Sequence, residues 1–281
     1  MYIKIMIMNE LKKYTDQFKT REKLQPVFFI GHGSPMNGIE QNIFSKKWQE
    51  IGKTIDLPCA VLVVSAHWLT TGTLVTAMSE PKTIHDFGGF PQELFNVQYP
   101  APGSPFLAEE TAKLITSTNV GLDHDWGLDH GTWTVVRHMF PDANVPVLQL
   151  SIDYNKPAIY HYNLAKELYH LRKQGVLIIG SGNMIHNLRM IDWNNMAAPG
   201  FGFDWAKSLN EIFKKKILSK DHKDLIEYER LGEAARLAIP TPDHYYPMLY
   251  SLALMNDKDD VSIFNDEYVG GSLSMTSFRL G

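Results

Sequence analysis

Four apolar, β-branched runs constrain this chain more than any other feature: PVFFI at 26–30, AVLVVSA at 60–66, VPVLQLSI at 145–152 and GVLIIGSG at 175–182. Each reads as a buried strand. Helical periodicity occupies two of the intervals between them, carried by Phe44, Trp48 and Ile51 in the first and by Leu164, Leu168 and Leu171 in the third. Strands alternating with helices predict an α/β fold: a single-domain α/β/α arrangement, with right-handed crossovers and a central mixed, largely parallel sheet. The segment LTTGTLVTAM at 69–78 follows the second run closely enough to be an adjacent strand, possible in antiparallel pairing, and SLSMTSFRLG at the C-terminus reads as an edge strand. From Asp204 to Asn256 the pattern is helical, broken at Pro240 and Pro242. With no repeat and no linker-like stretch, the expectation is one catalytic domain over 26–281. Residues 1–25 read as an N-terminal extension, in which Leu11, Tyr14 and Phe18 share a helical face able to dock on the domain or on a partner.

Composition narrows the function. At 281 residues and 44% hydrophobic the chain has ample material for a core. A net charge of −4 gives it no basic field for nucleic acid or an anionic membrane surface, so small molecules are the expected partners. Cys59 is the only cysteine, which excludes an intrachain disulfide and any zinc site built on several thiolates. A metal here must be held by histidine and carboxylate. The first residues are interrupted by Lys4 and lack both a signal-peptide apolar region and a small-residue cleavage site, and no stretch of about 18 apolar residues occurs, so the expected location is cytoplasmic.

The histidines fall in a pattern. His32 follows the first strand in FFIGHGSPM, His67 follows the second in SAHW, and His186 follows the fourth in GSGNMIH. Open α/β sheets assemble their sites just past the carboxyl ends of such strands. His130 in GLDHGTW stands at the expected start of a helix running to Phe140, and His244 in PTPDHYYP precedes another apolar helix. Of the other six, His161, His170 and His222 lie in polar helical contexts and read as surface residues. His138 reads as a satisfied helix residue, and His85 and His124 as loop residues with structural roles. Neutral imidazole suits zinc and iron, and a histidine set with open positions suits catalysis better than structural support. Ser34, Asp129 and Asp243 adjoin these motifs and are candidates to orient imidazoles, with helix capping an equal alternative for the two aspartates.

The motifs GHGSPMN, SAHW, FGGFPQELFNVQYPAPGSP, GLDHGTW, GSGNMIHNL and TPDHYYP, in this order over nearly all of 26–280, resemble the DOPA-type class III extradiol ring-cleavage dioxygenases. The resemblance implies one α/β domain, one divalent metal ion, and opening of a catechol ring by O₂ beside its two hydroxyls. It implies further that His32, His67 and His244 hold the metal and that His130 and His186 act on protons. Protocatechuate-type enzymes of the same superfamily use two histidines and a glutamate, and His244 falls where that carboxylate would be, as it does in the DOPA-type branch. A neutral three-histidine set suits Zn(II) as well as Fe(II). Iron is the expectation for O₂ chemistry, and zinc, with its tetrahedral preference, would leave His186 as a fourth ligand. Aromatic residues near the motifs, among them Trp68, Phe87, Trp126 and Trp133, are candidates to wall a flat substrate. Two other readings stand beside this one. One is a zinc hydrolase acting through metal-bound hydroxide; the other is a catalytically silent binding protein of the same fold, against which the five histidines argue.

Overall fold

In a computed structural model, residues 19–196 and 198–281 are described. The helical face of Leu11, Tyr14 and Phe18 lies outside them. The four apolar runs form β1 (Val27–Gly31), β2 (Ala60–Thr70), β5 (Val147–Asp153) and β6 (Val176–Gly182). They are the parallel centre of an eight-stranded sheet of order β4-β3-β5-β2-β6-β1-β10-β7. Its remaining strands are β3 (Thr73–Thr76), β4 (Val120–Asp123), β7 (Val261–Phe264) and β10 (Ser277–Leu280), while β8 (Tyr268–Val269) and β9 (Leu273–Ser274) pair with each other apart from it. The sheet is thus mixed and mainly parallel in a single α/β domain.

Two strand expectations are corrected. β3 is antiparallel to the centre, but it pairs with β5 and β4 and not with β2. Its place is taken because both edges of β2 are already paired, with β6 along Ala60–Ser65 and with β5 as far as Thr70. The C-terminal β10 is an interior strand between β1 and β7, not an edge. Phe278 on this strand is fully buried and packs its ring against Phe29, at 5.5 Å between centroids.

Two apolar clusters cover the two faces of the sheet. Successive residues of a strand point to opposite faces, so Val27 and Phe29 join one cluster while Phe28 and Ile30 join the other. Helix Ile43–Thr54 buries Phe44, Trp48 and Ile51 on the second face, as its periodicity predicts. The Leu164, Leu168, Leu171 stripe is buried too, but across two short helices, Ala158–Lys166 and Tyr169–Lys173, with Leu168 in the turn between them. Arg172 is buried nearby and ties the start of the domain to its end: it donates to the carbonyls of Gln25 and Leu254 and pairs with Asp259 at 2.7 Å.

His161 is the clearest departure from the surface reading. It is fully buried, with Nδ1 3.0 Å from the Tyr250 hydroxyl and Nε2 3.3 Å from the Lys156 carbonyl, and its ring lies 4.4 Å from that of Tyr246. Helix Ala158–Lys166 turns this face inward because Tyr250 offers the imidazole a polar partner inside the core. His170 is exposed and His222 half-buried. His138 is satisfied as expected, contacting the Asn37 carbonyl at 2.7 Å.

Burial pushes His161 down to about 4. The unfolded chain therefore takes up this proton first, near pH 6.5, and the folded one only near 4. The stability contributed by neutral His161 is complete above pH 6.5 and falls as pH drops through that window, by up to ~3 kcal/mol. Urea unfolding as a function of pH should show that loss, and His161→Gln should make the slope between pH 6.5 and 4 shallower. An unchanged slope would remove His161 as its source.

Candidate active site

Five histidines reach one cleft from five different segments. His32 immediately follows β1. Its N–H donates to the Gly182 carbonyl at 3.1 Å and its carbonyl accepts from Asn37 Nδ2 at 2.9 Å, so the residue is fixed on both sides. His67 lies inside β2 rather than past its end, where the pairing with β5 slips between Val64 and Leu69. Such an irregularity re-aims side chains that strict alternation would send to one face or the other. His130 is the first residue of helix His130–Met139. Its cap is Asp129, whose carboxylate accepts from Thr132 N, Ser65 Oγ and Gln149 Nε2, so the capping reading holds for that aspartate. His186 stands four residues beyond β6, with its N–H on the Ala238 carbonyl at 2.8 Å. His244 occupies the turn that Pro240 and Pro242 begin.

The rings gather closely. Centroids of His32, His67 and His244 are 5.0, 5.3 and 4.9 Å apart pairwise, and His130 lies 3.8 Å from His67. The ligand atoms of His32, His67 and His130 all fall within 4.8 Å of one another, a group able to hold a metal ion. His186 stacks on His244 at 3.6 Å with 4° between the planes. An imidazole lone pair lies in the ring plane. Two parallel stacked rings aim their lone pairs in separate planes, so the stack disfavours His186 as a fourth ligand beside His244.

Hydrogen bonds fix which nitrogen of each ring is free. The single O–H of Ser181 donates to the Gly131 carbonyl at 2.5 Å, so at 3.0 Å from His32 Nδ1 its oxygen acts as acceptor and Nδ1 carries the proton. His67 Nδ1 lies 3.4 Å from Asp86 Oδ2, and His244 Nδ1 lies 2.5 Å from Asp243 Oδ2. An ionised carboxylate only accepts, so His244 Nδ1 carries a proton as well, and the longer contact from Asp86 favours the same tautomer for His67. With both rings in that tautomer, the Nε2 atoms of His32 and His67, 3.0 Å apart, face each other as two lone pairs. That contact is repulsive by itself. A cation between them removes the repulsion, and two metal–nitrogen bonds of about 2.1 Å opened to roughly a right angle span about 3.0 Å.

The electrostatics point the same way. Burial, then the neighbouring His244, His130 and His186, holds His32 well below the ordinary histidine value. Burial and then His130 and His244 do the same for His67. Burial and His244 push His186 down to about 3. Neutral imidazole is the form that binds metal. Burial pushes the Asp243 carboxyl up, but the bond from His244 outweighs it and leaves the group far below its usual range.

Of the neighbours expected to orient imidazoles, Asp243 does so. Ser34 instead accepts from Met36 N and caps a short turn. The sequence reading missed Asp86 and Ser181. Ser181 was inside GSGNMIH and polar in an otherwise apolar strand, a signal that was available. Of the candidate wall residues, Phe87 stands edge-on to His130 at 5.6 Å, and Trp68 stacks parallel to Trp126 at 5.9 Å. Trp133, Tyr99 and Tyr245 are core residues. His85 has the expected structural role, contacting the Val97 carbonyl at 3.0 Å.

Residues 26–274 match the family model described as the catalytic LigB subunit of aromatic ring-opening dioxygenase. The chain belongs to this family. A 4,5-DOPA dioxygenase extradiol of Escherichia coli K12 is 45% identical over 260 residues, covering 91% of this chain and 94% of that one. A protein of the same description from Beta vulgaris is 32% identical over 267 residues, covering 92% and 98%. The crystal structure of an uncharacterized protein from E. coli K12 superposes with a TM-score of 0.78 at 40% identity, covering 92% of this chain and all of that one. This LigB-family chain is an extradiol aromatic ring-opening dioxygenase, metal-dependent like its family, acting on a small aromatic molecule with O₂. Among its described residues no helix is long and apolar enough to cross a membrane.

Gly182 shows how tightly the fold holds this site. A Cβ there would lie 2.2 Å from the carbonyl oxygen of His244, which accepts from Asn183 N. Gly182→Ala must push the His244 turn away, at a cost of about 1–3 kcal/mol. Chemical denaturation should register that loss, together with weaker metal retention on dialysis. Wild-type values for both would mean that the turn yields freely.

Proposed function

We propose that this LigB-family dioxygenase binds a catechol, such as DOPA or another substituted catechol, at an Fe(II) ion held by His32, His67 and His244, with His186 and His130 moving the protons. The observation that carries the ligand set is the pair of Nε2 atoms 3.0 Å apart in the cleft, with Ser181 and Asp86 facing the Nδ1 atoms behind them. His244 completes it, because Asp243 holds its Nδ1 proton in the same way and leaves its Nε2 free. The DOPA-type substrate is suggested by relatives named 4,5-DOPA dioxygenase extradiol.

A bound divalent ion supplies acidification of the catechol hydroxyls and, when it is iron, electron exchange with O₂, which zinc, having no redox chemistry, does not supply. The chain's own residues do the rest. Catechol hydroxyls titrate near the tyrosine value of ~10, so at neutral pH the diol needs a base to lose its protons. His186 is neutral, half-buried and stacked on His244, beside the ion's place. A catecholate arriving there raises the proton affinity of His186, because an anion favours the imidazolium. His130 has Nδ1 against Asp86, which leaves Nε2 free to accept a proton that the catechol gives up and to return it to the opening ring. Phe87, edge-on to His130, keeps water from that side of the imidazole.

Anaerobic reconstitution with Fe(II), followed by O₂ uptake over a panel of catechols, tests the whole reading. One O₂ consumed per ring opened is expected, with the zinc-loaded protein inactive. Ester or amide hydrolysis without O₂ uptake would favour the hydrolase reading instead, and binding without turnover the silent protein.

The two proton-moving roles have separate tests. His186→Ala should lose turnover while keeping its iron, and near-normal turnover would take His186 out of the mechanism. His130→Phe should lower kcat by about 10²- to 10⁴-fold with metal content unchanged. Loss of metal from this variant would instead make His130 a ligand, in keeping with its nearness to His32 and His67.

A further inference from the structure

One carboxylate lies between a proposed ligand and a proposed proton carrier. Asp86 Oδ1 is 3.0 Å from His130 Nδ1 and accepts from the His130 backbone N–H at 2.9 Å, while Oδ2 is 3.4 Å from His67 Nδ1. Both ring nitrogens stand at ion-pair distance from Asp86 without closing hydrogen bonds to it. Such contacts commonly tighten when a site fills. The two rings themselves lie 3.8 Å apart.

Asp86 is held from behind. The Ile84 carbonyl accepts from Trp133 Nε1 at 2.8 Å, the Ile84 N–H donates to the Leu128 carbonyl at 2.7 Å, and Leu128 N donates to the Lys82 carbonyl at 2.8 Å. Trp133 is fully buried on the helix that His130 begins. The loop, the helix start and β2 are thus joined around one side chain.

We infer that Asp86 is a positioning residue that fixes the tautomer and direction of His67 and His130 together, so that one side chain sets both metal affinity and proton transfer. The chemistry follows from the donor and acceptor inventory. Both Asp86 oxygens only accept, so each imidazole must turn a protonated Nδ1 toward it and keep an unprotonated Nε2 for the cleft. An amide in the same place has one acceptor and one donor. It can keep one ring in that state but forces the other to reverse its tautomer or lose its contact. Carboxylates behind metal-bound histidines raise ligand basicity and fix ring orientation in the same manner. Asp86 would do this for His67 while holding the proton carrier beside it.

This inference rests on the ligand and proton roles proposed above, and its test separates the two. The decisive readout needs no turnover: histidine ring ¹⁵N chemical shifts and long-range couplings in the metal-free protein report the tautomer of each imidazole. In the wild type His67 and His130 should both be protonated at Nδ1. In Asp86→Asn one of them should change to Nε2–H, with the thermal midpoint showing that the fold persists. Metal affinity, measured by competition with a chromogenic chelator, should fall about 10- to 100-fold, the usual effect of losing such a partner. With iron loaded to saturation, kcat should fall while KM for the catechol stays within a few-fold. In a His130→Phe background, adding Asp86→Asn should still weaken metal binding but should lower kcat little further.

Unchanged tautomers in Asp86→Asn, or wild-type metal affinity together with wild-type kcat, would overturn the inference. If the wild type consumes no O₂ with any catechol, the proposed function falls, yet the tautomer and affinity measurements still decide the role of Asp86. Should Asp86→Asn fail to fold, Asp86→Glu keeps two acceptors and should retain both Nδ1 protons. A tautomer change in that variant would count against the inference equally.

Discussion

Two imidazole nitrogens 3.0 Å apart, His32 Nε2 and His67 Nε2, whose lone pairs oppose when both rings carry their protons on Nδ1, are the contact around which the site is organised. Left alone the pair would separate. It stays because each ring is held on its far side, His32 by Ser181 and His67 by Asp86, and because those partners are themselves committed: Ser181 to the Gly131 carbonyl, Asp86 to the His130 N–H. The fold carries repulsion that a cation converts into attraction. Metal binding and stability are linked in such a site, since an ion that prefers the folded state raises its free energy of unfolding.

The sheet makes this arrangement possible by where its central strands end. β1, β2 and β6 run parallel and adjacent, so His32, the slipped segment of β2 around His67, and the chain leading to His186 emerge on the same side. Glycine at the junctions lets separate segments come into contact. A Cβ on Gly131 would meet Ser65 Oγ at 2.6 Å and His67 Cδ2 at 2.9 Å, so this residue serves the ring of His67 more than that of its own neighbour. Gly182 admits the His244 turn in the same way.

What the sequence made legible, and what it did not, follows from which interactions are local. The four central strands could be read because burial on both faces writes an unbroken apolar run. Their histidines were readable because strand ends in α/β sheets are where sites form. β3 could not be assigned its true neighbour, since pairing with β5 depends on residues some 75 positions later, and the interior place of β10 depends on β1 at the other end of the chain. His161 looked solvated because its own helix is polar there. Its partner, the Tyr250 hydroxyl, comes from a distant helix. Asp86 was missed for a similar reason: an aspartate in a glycine-rich loop is ordinary until the loop is folded against His67 and His130. The resemblance to ring-cleavage dioxygenases supplied roles for the five histidines but nothing about the carboxylates behind them.

Those carboxylates give the site a repeated plan. On one side Asp243 holds His244, and His186 lies flat against that ring at 3.6 Å; on the other Asp86 faces His67, and His130 lies 3.8 Å away. In the proposed roles each proton carrier rests on a ligand ring that a carboxylate supports. The consequence is electrostatic. A proton on His186 would place a positive charge against His244 in a buried site, so its imidazolium is disfavoured before substrate enters. A catecholate brings negative charge to the same volume and reverses that preference. In the proposed roles, substrate binding and the capacity of His186 to hold a proton are thereby coupled through charge, and the negative charge left on the substrate favours His186 keeping the proton that the substrate gives up.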